Sequence, residues 1–97
     1  MGIEARQSGS QVYIKSGNHS TSVTGKLIGF TPKAVFVVNG QNVHVYVEKG
    51  GGFGSVGTSI TLNGGEAVMY GNCVGIKKNG RISLYDENGR PAGSRNA

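Results

Sequence analysis

Four Asn-Gly dipeptides are spread along this sequence, and they restrict its fold more than any other feature. They lie at Asn39-Gly40, Asn63-Gly64, Asn79-Gly80 and Asn88-Gly89. Asn and Gly both tolerate the positive φ angles of tight hairpin turns. Val and Ile total 17 residues whereas Leu and Ala total 8, and β-branched side chains favour strands. We therefore predict an all-β fold in which antiparallel hairpins follow one another along the chain.

The length and composition predict one small domain. Of the 97 residues, 23 are Leu, Ile, Val or Phe and 20 are Gly or Pro, which permits a modest core and excludes a low-complexity chain. About six to eight short strands are expected, and a small barrel or sandwich, SH3-like or OB-like, would protect their edges. We predict that this domain spans residues 1–89. The tail, residues 90–97, has almost no apolar side chain and is predicted to be disordered.

The clearest predicted hairpin joins Ala34–Val38 to Gln41–Val47 through a two-residue loop at Asn39-Gly40. One face of this hairpin is apolar and is predicted to be core. The opposite face is mixed, and we expect it to be solvated or to meet a partner. This first candidate surface comprises Lys33, Val35, Val37, Asn42, His44 and Tyr46.

A second hairpin is predicted between Cys73 and Asp86. A two-residue loop at Asn79-Gly80 would set Ile82 opposite Lys77, an apolar residue against a charged one. A three-residue loop, Lys78-Asn79-Gly80, pairs apolar residues with each other instead, and we predict that loop. The second candidate surface is then the polar face of this hairpin and its tip, with Lys77, Lys78, Arg81, Ser83 and Tyr85.

Other strands are predicted at about Gln11–Lys15, Ser22–Phe30, Ser59–Leu62 and Glu66–Tyr70. The glycine-rich segment 50–57 matches the G-x-G-x-x-G pattern of dinucleotide-binding sites. It lacks the helix and the downstream acid that such a site requires, so we interpret it as a flexible loop. Its backbone amides and Lys49 can still bind an anion locally.

No residue pattern points to catalysis, a cofactor or a metal. His19, His44 and Cys73 are the only soft metal ligands in the sequence, whereas zinc needs about four ligands at close spacing. No nucleophile, base and acid stand at a catalytic spacing either. A single cysteine excludes an internal disulfide, and the longest apolar run, Ala34–Val38, is far too short for a membrane-spanning helix. We expect a cytoplasmic, non-catalytic protein without a membrane partner.

Charge is the remaining signal. The sequence has 10 Lys and Arg residues and 5 Asp and Glu residues, which gives a net charge of +5. Half of the basic residues lie in the last 21 positions. Proteins that bind single-stranded nucleic acid combine basic grooves with aromatic side chains. We therefore predict binding of RNA or single-stranded DNA. The expected contacts are Lys33, His44 and Tyr46 on one surface and Lys77, Lys78, Arg81 and Tyr85 on the other.

A second hypothesis is a protein-interaction or inhibitor module. The basic hairpin would meet an acidic protein surface, or an exposed edge would accept a partner strand. Small proteins of mobile elements that block or regulate a larger machine share this composition. Self-association into a dimer or ring fits both hypotheses. An enzyme is not favoured, because a chain of this size needs most of its apolar residues for its own core.

Overall fold

The computed structural model describes residues 2–50 and 52–96, except for the side chains of residues 57–59. Met1, Gly51 and Ala97 lie outside the described residues. The described backbone forms strands joined by short turns. The strands are β1 (Glu4–Ser8), β2 (Gln11–Ser16), β3 (His19–Thr24), β4 (Lys26–Phe30), β5 (Val35–Asn39), β6 (Asn42–Lys49), β7 (Gly52–Thr61), β8 (Glu66–Tyr70), β9 (Cys73–Lys78), β10 (Arg81–Tyr85) and β11 (Pro91–Asn96).

The described strands form three antiparallel sheets, each from consecutive strands. The N-terminal sheet is β1-β2-β3, the middle sheet is β4-β5-β6-β7, and the C-terminal sheet is β8-β9-β10-β11. The prediction of an all-β, antiparallel fold is confirmed. The sheets remain open and are not closed into a barrel, so the barrel alternative is wrong for the described strands. Among those strands and turns, no helix is long and apolar enough to cross a membrane.

The middle sheet is buried on both faces, because the other two sheets pack on either side of it. One face packs on the C-terminal sheet, around Phe36, Val45 and Val74, and the other packs on the N-terminal sheet, around Val35 and Ile14. The first candidate surface was predicted to be solvated or to meet a partner. That prediction is wrong for its centre, because the N-terminal sheet covers it and leaves Val35 and Val37 0% exposed.

Two-residue loops set the register of most hairpins. Four loops begin with a glycine at a positive φ near 60° and continue with a residue that has an ordinary negative φ, which is the type II′ pattern. These loops are Gly9-Ser10, Gly17-Asn18, Gly40-Gln41 and Gly71-Asn72. The first predicted hairpin is therefore correct in its strands and wrong in its loop. Gly40-Gln41 replaces Asn39-Gly40, and Asn39 pairs with Asn42.

The second hairpin has the two-residue loop that the sequence analysis rejected. Asn79 and Gly80 have φ angles of 53° and 76°, a type I′ turn that matches the twist of the strands. Lys78 consequently pairs with Arg81, and Ile82 pairs with Lys77. The predicted three-residue loop is wrong because Gly75 leaves room on the outer face. A Cβ at Gly75 would lie 2.8 Å from Ile82 Cγ2. The Ile82 side chain therefore occupies the space that a side chain at position 75 would need.

Two further expectations are corrected by backbone pairing. The predicted strand Ser22–Phe30 is two strands, because the chain passes from the N-terminal to the middle sheet at Gly25, where the φ angle is 145°. The glycine-rich segment was interpreted as a flexible loop, but its residues 52–57 belong to β7, and residues 52–56 pair with β6. Gly51 of this segment lies outside the described residues.

The predicted disordered tail is also wrong for residues 91–96, which form β11 along β10. The turn that precedes β11 is fixed by Asp86, whose carboxylate Oδ1 accepts hydrogen bonds from Asn88 N at 2.9 Å and Arg90 N at 3.0 Å. The Arg95 guanidinium carbon lies 5.9 Å from the centroid of the Tyr70 ring. Main-chain bonds and this cation–π contact thus order a strand that has little apolar surface.

Candidate functional site

The structure divides the predicted site residues among separate places. Lys78, Arg81 and Tyr85 line one groove. Lys77 lies on the opposite face of the C-terminal sheet, since neighbouring residues in a strand point to opposite faces. The remaining three, Lys33, His44 and Tyr46, belong to the loop before β5 and to β6. The second candidate surface is therefore largely assembled, and the first is not.

The groove, here called the C-terminal groove, follows strand β10. Arg81, Ser83 and Tyr85 alternate along that strand and lie on one face, over a length of about 13 Å at the usual rise per residue. The groove encloses about 370 Å³. Its lining consists of Thr61, Leu62, Asn63, Ile76, Lys78, Asn79, Arg81, Ser83 and Tyr85.

The wall opposite β10 is the connection between β7 and β8, and Gln41 holds it in place. The carbonyl oxygen of Gln41 accepts a hydrogen bond from Leu62 N at 2.7 Å. Its side-chain Oε1 accepts another from Gly64 N at 3.0 Å. Asn63 lies between these two anchored residues with a φ angle of 46°. The position of Asn63 beside the groove thus depends on a residue of the middle sheet.

Two cations stand side by side at the mouth of the groove. Lys78 and Arg81 are direct cross-strand partners on either side of the Asn79-Gly80 turn. Like charges that are directly opposed in a sheet are destabilising. No acidic residue is among the described residues that line the groove. An anion bound between the two side chains would remove this repulsion, so the groove is suited to a negatively charged ligand.

The aromatic and neutral groups extend the groove away from these cations. Tyr85 packs partly against the core between the middle and C-terminal sheets and remains half-buried at the groove. Asn63, Asn79 and Ser83 add side-chain donors and acceptors along its length. The groove therefore presents charge at its hairpin-turn end and an aromatic ring at the other, with polar groups along its length.

Lys77 faces the outer side of the C-terminal sheet. It is exposed, and its cross-strand partners are Ile82 on β10 and Glu66 on β8. The predicted three-residue loop would place Lys77 beside Arg81, and that prediction is wrong. A change of one residue in register transfers a side chain to the other face, and that is the reason for this error.

The residues of the first candidate surface have other surroundings. Tyr46 packs against the core between the N-terminal and middle sheets, and burial raises the pKa of its phenol. The half-buried His44 lies beside it, with ring centroids 6.1 Å apart. Lys33 is exposed in a turn where its backbone N donates a hydrogen bond to Thr31 Oγ1 at 3.1 Å. Tyr46 therefore has a packing role.

One cleft was missed by the sequence analysis. It lies at the N-terminal sheet, encloses about 750 Å³, and includes Arg6, Tyr13, Lys15 and Phe30 in its lining. The available signal was the alternation of β2, in which Val12 and Ile14 are buried while Tyr13 and Lys15 are exposed. That alternation was used only to predict a strand.

Neither metal-ligand geometry nor sequence similarity adds to this picture. Within residues 2–50 and 52–96, no three His, Cys, Asp or Glu side chains lie together as a metal site would require. No protein-family model matches the sequence, and no curated protein matches it at a significant level.

Proposed function

We propose that this protein binds single-stranded nucleic acid, RNA or DNA, and that the C-terminal groove is its binding surface. The observation that supports this most is the direct opposition of Lys78 and Arg81, with no acid among the described residues of the lining. A backbone phosphate seated between them would contact both cations. Charge-assisted hydrogen bonds of this kind are stronger than those between neutral groups.

Each part of the groove has a role in this proposal. Lys78 and Arg81 bind a phosphate, while the ring of Tyr85 provides a surface on which a base can stack. Asn63, Asn79 and Ser83 donate and accept hydrogen bonds to bases or sugars. Because stacking and phosphate contacts are possible with any sequence, binding is expected to show little sequence preference.

Overall charge supports the same ligand. The chain has a net charge of +5, which raises the local concentration of polyanions at low ionic strength. The open groove is about 13 Å long, which suits a short stretch of one strand. Affinity is therefore expected to depend strongly on salt.

The first prediction concerns two adjacent lysines on opposite faces. We expect Lys78→Ala to weaken binding and to lower the log–log salt slope by about 0.7, the value for one lost phosphate contact on a single strand. The matched control, Lys77→Ala, removes the same charge from the outer face and is expected to leave that slope unchanged. Fluorescence anisotropy of a labelled oligonucleotide, titrated at several salt concentrations, measures both.

Arg81→Ala extends the test to the second cation and is expected to behave as Lys78→Ala does. Equal losses in the Lys77 and Lys78 variants would show that only net charge matters and would contradict a site in the groove. Failure of the unmodified protein to bind the oligonucleotide at low salt would contradict the proposal altogether. The paired cations would then favour an acidic protein surface as partner, the interaction-module hypothesis.

A further inference from the structure

The cleft at the N-terminal sheet exposes two large aromatic side chains. Tyr13 is 43% exposed and Phe30 is 44% exposed, and both line this cleft of about 750 Å³. Aromatic residues that are both exposed and gathered in one concave surface are typical of binding sites. The cleft is here called the N-terminal cleft.

The exposure of these rings follows from the packing beneath them. Val12 and Ile14 on β2 are 0% and 1% exposed because they point into the core against the middle sheet. Strand alternation therefore directs Tyr13 outward. Phe30 ends β4 next to the turn in which Thr31 N donates a hydrogen bond to Ala34 O at 2.8 Å. Both rings are thus attached to ordered backbone.

Cations accompany the rings. Arg6 is the cross-strand partner of Tyr13, and its guanidinium carbon lies 5.7 Å from the Tyr13 ring centroid. Lys15 follows two residues after Tyr13 on the same face of β2. Glu4 is the cross-strand partner of Lys15 and also lines the cleft. Among the described lining residues, these two cations and one acid give a net positive charge.

We infer that the N-terminal cleft is a second contact site for single-stranded nucleic acid. Bases stack on Tyr13 and Phe30, and Arg6 and Lys15 bind the adjacent phosphates. This inference rests on the proposed function, since it assigns the same class of ligand to a second surface. The middle sheet lies between the N-terminal sheet and the C-terminal sheet. One molecule would therefore hold two strand segments, or two parts of one long strand.

The number of bound oligonucleotides tests this inference. Native mass spectrometry at low salt uses the full chain and an oligothymidylate of about six nucleotides, near the short end of known single-strand site sizes. We expect two copies per protein molecule. Tyr13→Ala combined with Phe30→Ala is expected to leave one copy, and so is Lys78→Ala combined with Arg81→Ala. Both rings are substantially exposed, and circular dichroism checks that the variants fold.

A charge variant provides a test that does not depend on removing a ring. Glu4→Gln takes away the acid nearest to the proposed phosphate contacts. We expect it to tighten oligothymidylate binding at the N-terminal cleft by roughly twofold to fivefold, the range of an exposed charge interaction. The measurement is made in the Lys78→Ala and Arg81→Ala background, where this cleft is the remaining site. Unchanged or weaker binding of the Glu4→Gln variant would contradict the inference.

The outcomes separate the two proposals. One copy bound, and lost in the Lys78 and Arg81 variants, would overturn the second site and leave the proposed function intact. One copy bound, and lost in the Tyr13 and Phe30 variants, would overturn the groove as the binding surface and support the N-terminal cleft. No bound copy in the unmodified protein would overturn both.

Discussion

Gly75 determines how the outer face of the C-terminal sheet is packed. A Cβ at this position would lie 2.7 Å from Tyr70 Cδ2 and 2.8 Å from Ile82 Cγ2. The absence of a side chain lets Tyr70 and Ile82 lean over β9. Ile82 is only 4% exposed although the pairing places it on the face away from the core. Because Gly75 has no side chain, the apolar Ile82 can pair with Lys77 across the two strands.

We predict that Gly75→Ala destabilises the protein. The added methyl group must displace the Tyr70 ring or Ile82, and overpacking of this kind costs about 1–3 kcal/mol. Gly52→Ala in β7 is the matched control, because the nearest atom to its Cβ is Lys49 O at 4.0 Å. Urea denaturation gives the free energy of unfolding of both variants. Equal stability of the two variants would contradict the packing role of Gly75.

At the level of single elements, β11 shows how a strand forms with little apolar surface. Its main chain pairs with β10, and Arg95 reaches back over the Tyr70 ring on β8. The side chain of Arg95 therefore lies on the same outer face where Gly75 has no side chain. The amino-acid composition of the tail predicts disorder because it takes no account of the backbone hydrogen bonds that an adjacent strand can form.

We predict that Arg95→Ala loosens β11 without unfolding the remainder of the protein. An exposed cation–π contact contributes about 0.5–1 kcal/mol, so amide hydrogen exchange in residues 92–96 should accelerate roughly twofold to fivefold, as the same energy implies. Arg90→Ala removes an equal charge from the preceding turn and serves as control. Protection that is identical in both variants would show that the Tyr70 contact does not order this strand.

The hairpins show how much of the fold could be predicted from the sequence. The strands on either side of Asn79-Gly80 were predicted, but side-chain pairing was given more weight than turn chemistry, and the loop was predicted one residue too long. The Gly-X loops, such as Gly17-Asn18, carry a second hairpin signal, the glycine at the first central position of a type II′ turn, on which no prediction was based. Sequence periodicity also does not give the number of layers, so the face with Val35 is predicted to be solvated or to meet a partner rather than to form a second core.

The candidate site was predicted in part for the same physical reasons. Lys78, Arg81 and Tyr85 meet in one groove because they belong to a single hairpin, whose position the Asn-Gly turn revealed. The opposite wall, with Asn63, comes from a distant segment held by Gln41. No local pattern indicates such a long-range contact. The register of the β9–β10 hairpin then decides which of the adjacent lysines, Lys77 or Lys78, lines the groove.

At the level of the whole molecule, one loop of the middle sheet ties the three layers together. Pro32 O accepts a hydrogen bond from Ile3 N of the N-terminal segment at 3.0 Å. The hydroxyl group of the neighbouring Thr31 donates a hydrogen bond to the carboxylate of Glu87, in the turn before β11. Both faces of the middle sheet are largely covered, and it reaches the proposed binding surfaces through Thr61 in the C-terminal groove and Phe30 in the N-terminal cleft. The C-terminal groove and the N-terminal cleft are mainly placed at the two outer sheets.

Nucleic-acid binding is tested most directly by NMR of the ¹⁵N-labelled protein. Short single-stranded RNA and DNA are titrated at low and at moderate salt, and backbone amide shifts are followed for every residue. We predict salt-sensitive shifts at residues 61–63 and 78–85, with a second group around Arg6 and Tyr13. An unchanged spectrum at low salt with both RNA and DNA, or shifts confined to residues 33–46, would contradict binding at these surfaces.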